Sequence, residues 1–124
     1  MTRGAFALIT NSSHHVLLVR SLTSIRFTDH WSLPGGVVQD NETYEQGAIR
    51  ETLEEVGLTI KLGEKVSVVD SSDDDFTAVT FRAFYVSGDI QLQLHEIEKA
   101  EWFTIDEAQK LKLAFNIKAL IQQF

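Results

Sequence analysis

The chain has no cysteine, which excludes disulfides, thiolate metal sites and cysteine nucleophiles. That absence fits a reducing compartment, and a cytoplasmic location is the expectation. No apolar run is long enough to cross a bilayer as a helix. Arg3 followed by Gly4-Ala5-Phe6-Ala7-Leu8-Ile9 imitates the start of a signal peptide. No small-residue cleavage site follows it, and Asn11 to His15 has turn chemistry, so a first strand is the reading. Positive charge is scarce: 11 Lys and Arg against 18 Asp and Glu give a formal net charge of −7. Such a balance argues against a nucleic-acid coat or an anionic-membrane binder, and neither nucleic acid nor membrane is an expected partner. A phosphorylated substrate stays open, because a bound metal ion inverts the local charge logic. Repeats, linkers and composition shifts are also missing. The 124 residues suffice for one core, and the reading is a single domain over residues 1–124.

What is present centres on Gly36 to Leu58, GVVQDNETYEQGAIRETLEEVGL. Its second half has helical character from Thr43 to Val56. At about 100° per residue, Ala48, Ile49, Thr52, Leu53 and Val56 are read as one core arc. Glu51, Glu54 and Glu55 are read as the opposite arc, with Arg50 at its edge. Like charges three and four residues apart destabilise a helix by roughly 0.2–0.5 kcal/mol per pair. Arg50, four residues before Glu54, offsets one of them. Taken alone, the cluster reads as a solvated acidic face. A divalent-cation site is the competing reading, since Mg²⁺ favours carboxylate oxygens. The approach to the helix, Leu33-Pro34-Gly35-Gly36, tips the balance. It is a tight loop whose backbone can come close to a ligand and lend a carbonyl oxygen.

Gly36, five residues, Glu42, seven residues and then Arg50-Glu51-Thr52-Leu53-Glu54-Glu55-Val56-Gly57-Leu58 resembles the Nudix box. Every charged and glycine position of that pattern is matched. Thr52 departs from it, standing where an apolar residue is asked for; Thr is nearly isosteric with Val. The resemblance extends over essentially the whole chain, through Trp31 to Gly36 and through Trp102 to Glu107. It implies an α/β/α sandwich around a mixed sheet. It also implies a hydrolase that cleaves the phosphoanhydride of a nucleoside diphosphate linked to another group, using divalent cations. By the same resemblance Glu51, Glu54 and Glu55 hold one to three Mg²⁺ or Mn²⁺, and the carbonyl of Gly35 is an extra ligand. Glu51 is the first choice for the base, Arg50 orients Glu54 or Glu42, and Glu42 shapes the loop–helix junction.

The order of elements agrees with a mixed sheet carrying helices on both faces. Strands are expected over Gly4 to Thr10, hairpin-paired with His15 to Arg20, and over Gly36 to Val38. After the C-cap Gly57, strands are expected over Leu58 to Leu62 and Lys65 to Val69, around a Gly63-Glu64 turn. Phe76 to Val86 is the clearest strand, and Lys99 to Thr104 the last. A short helix is expected over Ile105 to Leu111. An amphipathic helix is expected over Ala114 to Phe124, with Phe115, Ile117, Ala119 and Leu120 inward.

Outside the box, Arg20 is a candidate phosphate contact, weighed evenly against a solvated strand-end arginine. Phe27, in a polar loop read as covering the site, is the best candidate for stacking a base. His95 and Glu96 read as surface loop before they read as a late base. Asp70, Asp73, Asp74 and Asp75 lack the glycine and terminal glutamate of a Ca²⁺ loop and read as a solvated turn. The His14-His15 pair and His30 have no partner at metal spacing. Three functions compete. The first is a metal-dependent nucleotide pyrophosphohydrolase acting on a small-molecule nucleotide. The second is a nucleotide-binding sensor that does not cleave, disfavoured by the intact glutamates and the lack of an attached DNA-binding segment. The third is an enzyme on capped or triphosphorylated RNA ends, disfavoured by the acidic surface. Ser72 to Thr77 holds neither the proline nor the tyrosine that marks the family's ADP-ribose and dinucleoside-polyphosphate subgroups, which leaves a nucleoside triphosphate by elimination. Oligomeric state is open, a homodimer through apolar strand edges being one alternative.

Overall fold

The computed structural model describes residues 1–22 and 29–124. The strands are β1 (Thr2–Thr10), β2 (Val16–Ser21), β3 (Gly35–Val37), β4 (Thr59–Ser71), β5 (Phe76–Ser87) and β6 (Ile97–Phe103). The helices are α1 (Tyr44–Val56), α2 (Ile105–Gln109) and α3 (Ile117–Ile121). The sheet runs β4-β5-β1-β2-β6, with β3 added against β1. It is mixed: β1 lies parallel to β5 and antiparallel to β2 and β3.

Side-chain alternation divides β1 and β2 between two cores. Ala7, Ile9, Leu17 and Val19 pack with Val56 of α1 and with Leu58. Their neighbours Leu8, Val16 and Leu18 point the other way and pack with Ala108, Ala114, Ile117 and Leu120 around α2 and α3. Helices therefore cover both faces, and the sandwich expected from the element order is the one observed.

One departure from a plain hairpin builds the site. β1 and β2 meet at Thr10 and Val16, beside a turn in which the Asn11 side chain accepts the N–H groups of Ser13 and His15. Beyond that point the two strands part, and residues 32–37 run between them. Ser32 pairs with Val19 of β2. The Pro34 carbonyl accepts Ala7 N–H at 2.9 Å, and Gly35 to Val37 pairs with Phe6 to Gly4. The Gly-Gly segment is thus held on both sides within the sheet.

α1 is fixed at both ends. The Thr43 hydroxyl accepts Gln46 N–H while the Gln46 side chain accepts Thr43 N–H, a complete capping box, and Gly57 closes the helix at φ 76°. The face it buries differs from the expected arc. Gly47, Ala48, Thr52, Glu55 and Val56 are buried, whereas Ile49 and Leu53 are exposed. Seven steps of about 100° bring Glu55 back to within about 20° of Ala48, so this carboxylate belongs on the sheet side. Small residues make that side because the approach is close: a Cβ on Gly47 would stand 2.9 Å from the Val38 side chain.

Two further expectations are corrected. Gly63-Glu64 is no turn; β4 continues through it, paired to β5 on both sides, and the irregularity is a shift of register between Leu62 and Lys65. The C-terminal helix covers only Ile117–Ile121. Phe115, at φ 54°, lies in the left-handed region and blocks helix before Asn116. Phe115 and Ala119 are exposed; Ala114, Ile117, Leu120 and Ile121 are the buried residues. Among the described residues no helix is long and apolar enough to cross a membrane.

Thr52 is fully buried, and its hydroxyl has no hydrogen-bond partner among the described residues. A buried hydroxyl without a partner costs about 1–3 kcal/mol. Thr52→Val keeps the shape and removes that cost. The expected outcome in urea unfolding is a gain of about 1 kcal/mol; a loss would mean that the hydroxyl is satisfied.

Candidate functional site

The site is built where the Gly-Gly segment meets α1. Gly35 has φ 154°, and a Cβ there would stand 2.3 Å from the Ala5 carbonyl oxygen. Backbone can therefore sit here only without a side chain. The Gly35 N–H donates to Glu55 Oε1 at 2.9 Å. At Gly36 an added Cβ would lie 2.7 Å from the Glu51 carboxylate. The two glycines thus let two glutamates of α1 lie directly against backbone.

Arg50 ties the opposite side together. Its Nε and Nη2 donate to the two oxygens of Glu42 at 2.7 and 3.0 Å, a bidentate fork. Nη2 also donates to the Val37 carbonyl at 3.1 Å. Nη1 donates to Glu51 at 3.1 Å and to Glu54 at 3.0 Å. Glu42 in turn accepts Gln39 N–H at 2.9 Å. One guanidinium therefore links β3, the loop and three carboxylates, where the spacing alone gave it one partner. Arg50 holds the Glu42 carboxyl below the ordinary carboxylate range. Glu42 in turn raises the already high pKa of Arg50.

A cavity of about 420 Å³ opens beside this network, lined by Gly35, Gly36, Glu51, Glu55, His30 and Glu96 among others. Glu55 is 7% exposed. Burial pushes its carboxyl up to about 8; the Gly35 N–H opposes that rise, and Glu51, Glu96 and Glu54 add to it by repulsion. Burial raises Glu51 as well, with Arg50 pulling it back.

Of the residues singled out in the sequence, Gly35, Glu51 and Glu55 come together at the cavity. Glu54 does not line it; it is half exposed and bound to Arg50. Arg20 does not line it either. On β2, Val19 and Ser21 face the cavity, and alternation turns Arg20 to the other face. There it meets Asp29 at 3.0 Å and lies over the Trp31 ring. Phe27 falls outside the described residues. Glu96, read as surface loop, is instead brought to the cavity. Gln91 N–H and Gln93 N–H donate to the carbonyls of Val56 and Glu55, both at 2.9 Å, and so lash the segment before Glu96 to the end of α1. Helix ends leave such carbonyls without internal partners, which is the signal that a polar Gln-rich stretch would dock there. His30 and Phe115 also line the cavity and were read otherwise from sequence.

The donor set is one of hard oxygens, which suits Mg²⁺ or Mn²⁺. Among the described residues no three His, Cys, Asp or Glu side chains are gathered closely enough to ligate one ion as they stand. Arg50 draws Glu54 and one oxygen of Glu51 away from the cavity. A cation would compete with it for them, and it would offset the repulsion that raises Glu55. On these observations the residues fit a divalent ion.

The profile of the NUDIX domain family matches residues 1–124, and the chain belongs to that family. A MutT-like protein of Streptomyces ambofaciens is 34% identical over 102 residues, covering 80% of this chain and 66% of its own length. The ADPR responsive transcriptional repressor NtrR of Acinetobacter baylyi is 30% identical over 106 residues, covering 76% of this chain and 40% of its own. The chain thus spans less than two thirds of both relatives. The solved MutT NUDIX hydrolase of Burkholderia pseudomallei superposes with a TM-score of 0.82 at 24% identity, over 98% of this chain and 96% of that one; this likeness shows the fold.

The raised Glu55 has a consequence for stability. Between its ordinary 4.5 and about 8, the folded protein keeps a proton that the unfolded chain has released. Stability without divalent ions is therefore highest at the acid end of this window and falls as pH rises through it, by up to about 1.4 kcal/mol per pH unit for one group. Glu55→Gln is expected to flatten the fall and to be the more stable protein at pH 8. Denaturant titrations in chelator at several pH values check this; parallel curves would contradict it.

Proposed function

We propose that the chain is a divalent-metal-dependent pyrophosphohydrolase. Its substrate would be a small nucleotide in which a nucleoside diphosphate is linked to another group, and a nucleoside triphosphate is the first choice. The observation that carries this is the pairing of Glu51 and Glu55 in one cavity, one of them nearly buried, against backbone that only glycine permits. A purely structural helix would gain by replacing a buried glutamate that has no cationic partner among the described residues. Members of this family generally use divalent metal ions.

Glu51 and Glu55, with the Gly35 carbonyl and with Glu54 once it leaves Arg50, would hold one or more such ions. A bound divalent ion supplies charge neutralisation for the phosphate oxygens and lowers the pKa of an attacking water. The chain's own part is positional and acid–base. Arg50 keeps Glu51 aimed through its bond to Oε1. Glu51 is the proposed acceptor of the water proton as the water oxygen bonds to phosphorus and the bridging P–O bond breaks. Glu96, at the same cavity, adds negative charge that favours cation uptake. Half-burial of the walls limits bulk water, which strengthens each of these interactions. Arg20, turned away and paired with Asp29, is not assigned to the phosphates.

A second reading is favoured by the resemblance to the ADPR responsive repressor: a nucleotide-binding domain that does not cleave. Turnover separates the two. A phosphate-release screen with Mg²⁺ and with Mn²⁺ should cover nucleoside triphosphates, oxidised nucleotides, ADP-ribose, nucleotide sugars and dinucleoside polyphosphates. It is expected to find one class well above the rest. Glu55→Gln should lower that turnover by at least about a hundredfold, and chelator should stop it without unfolding the protein. An unchanged rate in Glu55→Gln would sink the assignment of the site. Saturable binding of a nucleotide with no turnover of any would favour the sensor.

A further inference from the structure

The sheet ends in two edge strands, β4 and β6. An edge presents backbone N–H and C=O groups that lack a ladder partner, and bulges and charge commonly guard it. β4 is guarded in that way: its pairing with β5 shifts register at three points, and such shifts bend a strand and spoil a flat edge. β6 is different. From Lys99 to Phe103 it pairs with β2 in unbroken register, and its irregularity lies at its start, opposite Arg20 and Ser21.

The direction of each backbone group in β6 follows from β2. Ser32 takes both backbone groups of Val19, at 2.9 and 2.8 Å. Successive residues of an antiparallel ladder turn these groups to opposite sides, so Leu18 and Arg20 face β6. Their partners Glu101 and Lys99 face back toward β2. Ala100 and Trp102 therefore present N–H and C=O outward, and among the described residues no hydrogen bond from elsewhere in the chain reaches them.

Lys99 and Glu101 flank Ala100 with opposite charge. Both are exposed, and neither makes an ion pair among the described residues. Lys99 lies directly across from Arg20, an unfavourable pairing of like charges. Charges of one sign would repel an added strand in every register. One of each sign, placed symmetrically, select a single register.

We propose that the β6 edge is a self-association surface. A second copy of this chain pairs with it antiparallel, about a two-fold axis at Ala100, and continues the sheet. In a two-fold interface each contact occurs twice. The two Ala100 residues exchange N–H and C=O, and only methyl groups stand at the axis. Lys99 of each copy then lies opposite Glu101 of the other in the closer, non-hydrogen-bonded kind of pair, with Cα atoms about 4.5 Å apart. A register centred on Glu101 would instead set the two Glu101 carboxylates against each other. None of Lys99 to Phe103 lines the cavity with Glu51 and Glu55, so association is independent of the hydrolase reading. So short an edge buries less than the roughly 800 Å² per partner of a standard interface, and the dimer depends on concentration.

Sedimentation velocity from about 1 μM to about 1 mM, the range of weak complexes, is expected to show a monomer–dimer equilibrium. Lys99→Glu leaves the edge wholly acidic, and Glu101→Lys leaves it wholly basic. Each variant should melt like the parent and associate at least about tenfold more weakly. Mixed in equal amounts, the two variants are complementary at both contacts and should dimerise with each other. The double variant Lys99→Glu, Glu101→Lys should dimerise alone. A parent chain that stays monomeric over the whole range would overturn the proposal. So would dimers that survive both single variants, or a mixture of the two that stays monomeric.

Discussion

The acidic end of the molecule depends on how closely residues 35 and 36 approach α1, a distance set by the absence of two side chains. With no Cβ at Gly35, the segment nests against the carbonyl of Ala5 and aims its N–H at Glu55. With none at Gly36, the Glu51 carboxylate lies flat against the main chain. The parting of β1 and β2 creates the slot for this segment, and bonds to Ala7 and Val19 keep it there. Sheet topology, glycine and carboxylate placement are one constraint rather than three.

Charge is arranged around that constraint. On the loop side, the Arg50 fork neutralises Glu42 and restrains Glu51 and Glu54. On the cavity side, Glu55 and Glu96 have no comparable cation among the described residues, and Glu55 carries the cost of burial as a raised pKa. A site poised this way favours whatever brings positive charge into the cavity, and it spends folding stability to do so. Thr52, buried beside these glutamates without a partner for its hydroxyl among the described residues, adds a smaller cost of its own.

Much of this was legible in the sequence. Fixed spacing from Gly36 to Leu58 identified the helix, its C-cap and the glutamates, because each is a local requirement of a turn, a cap or a charge. The wrong helical face has a simple origin. Ile49 and Leu53 are the large apolar residues, and hydrophobicity alone places them inward. The close approach of the sheet, visible only in three dimensions, demanded small residues and left room for Glu55. Glu96 and Phe115 were misplaced for a related reason. The position of Glu96 comes from backbone bonds to the end of α1, and that of Phe115 from a left-handed backbone between two buried neighbours. Neither leaves a periodic trace. Gly63-Glu64 carries the composition of a turn, yet β5 is long enough to pair with both flanking segments, and pairing prevailed.

The central claim is that Glu51 and Glu55, set against the two glycines, form a divalent-cation site. Its most direct test is titration of Mn²⁺ into chelator-treated protein, with free ion followed by electron paramagnetic resonance, for the parent chain and for Glu51→Gln and Glu55→Gln. The account predicts saturable uptake by the parent and affinity weakened by at least about tenfold in each variant. Equal uptake by all three proteins, or none by the parent in the presence of a nucleotide, would contradict it.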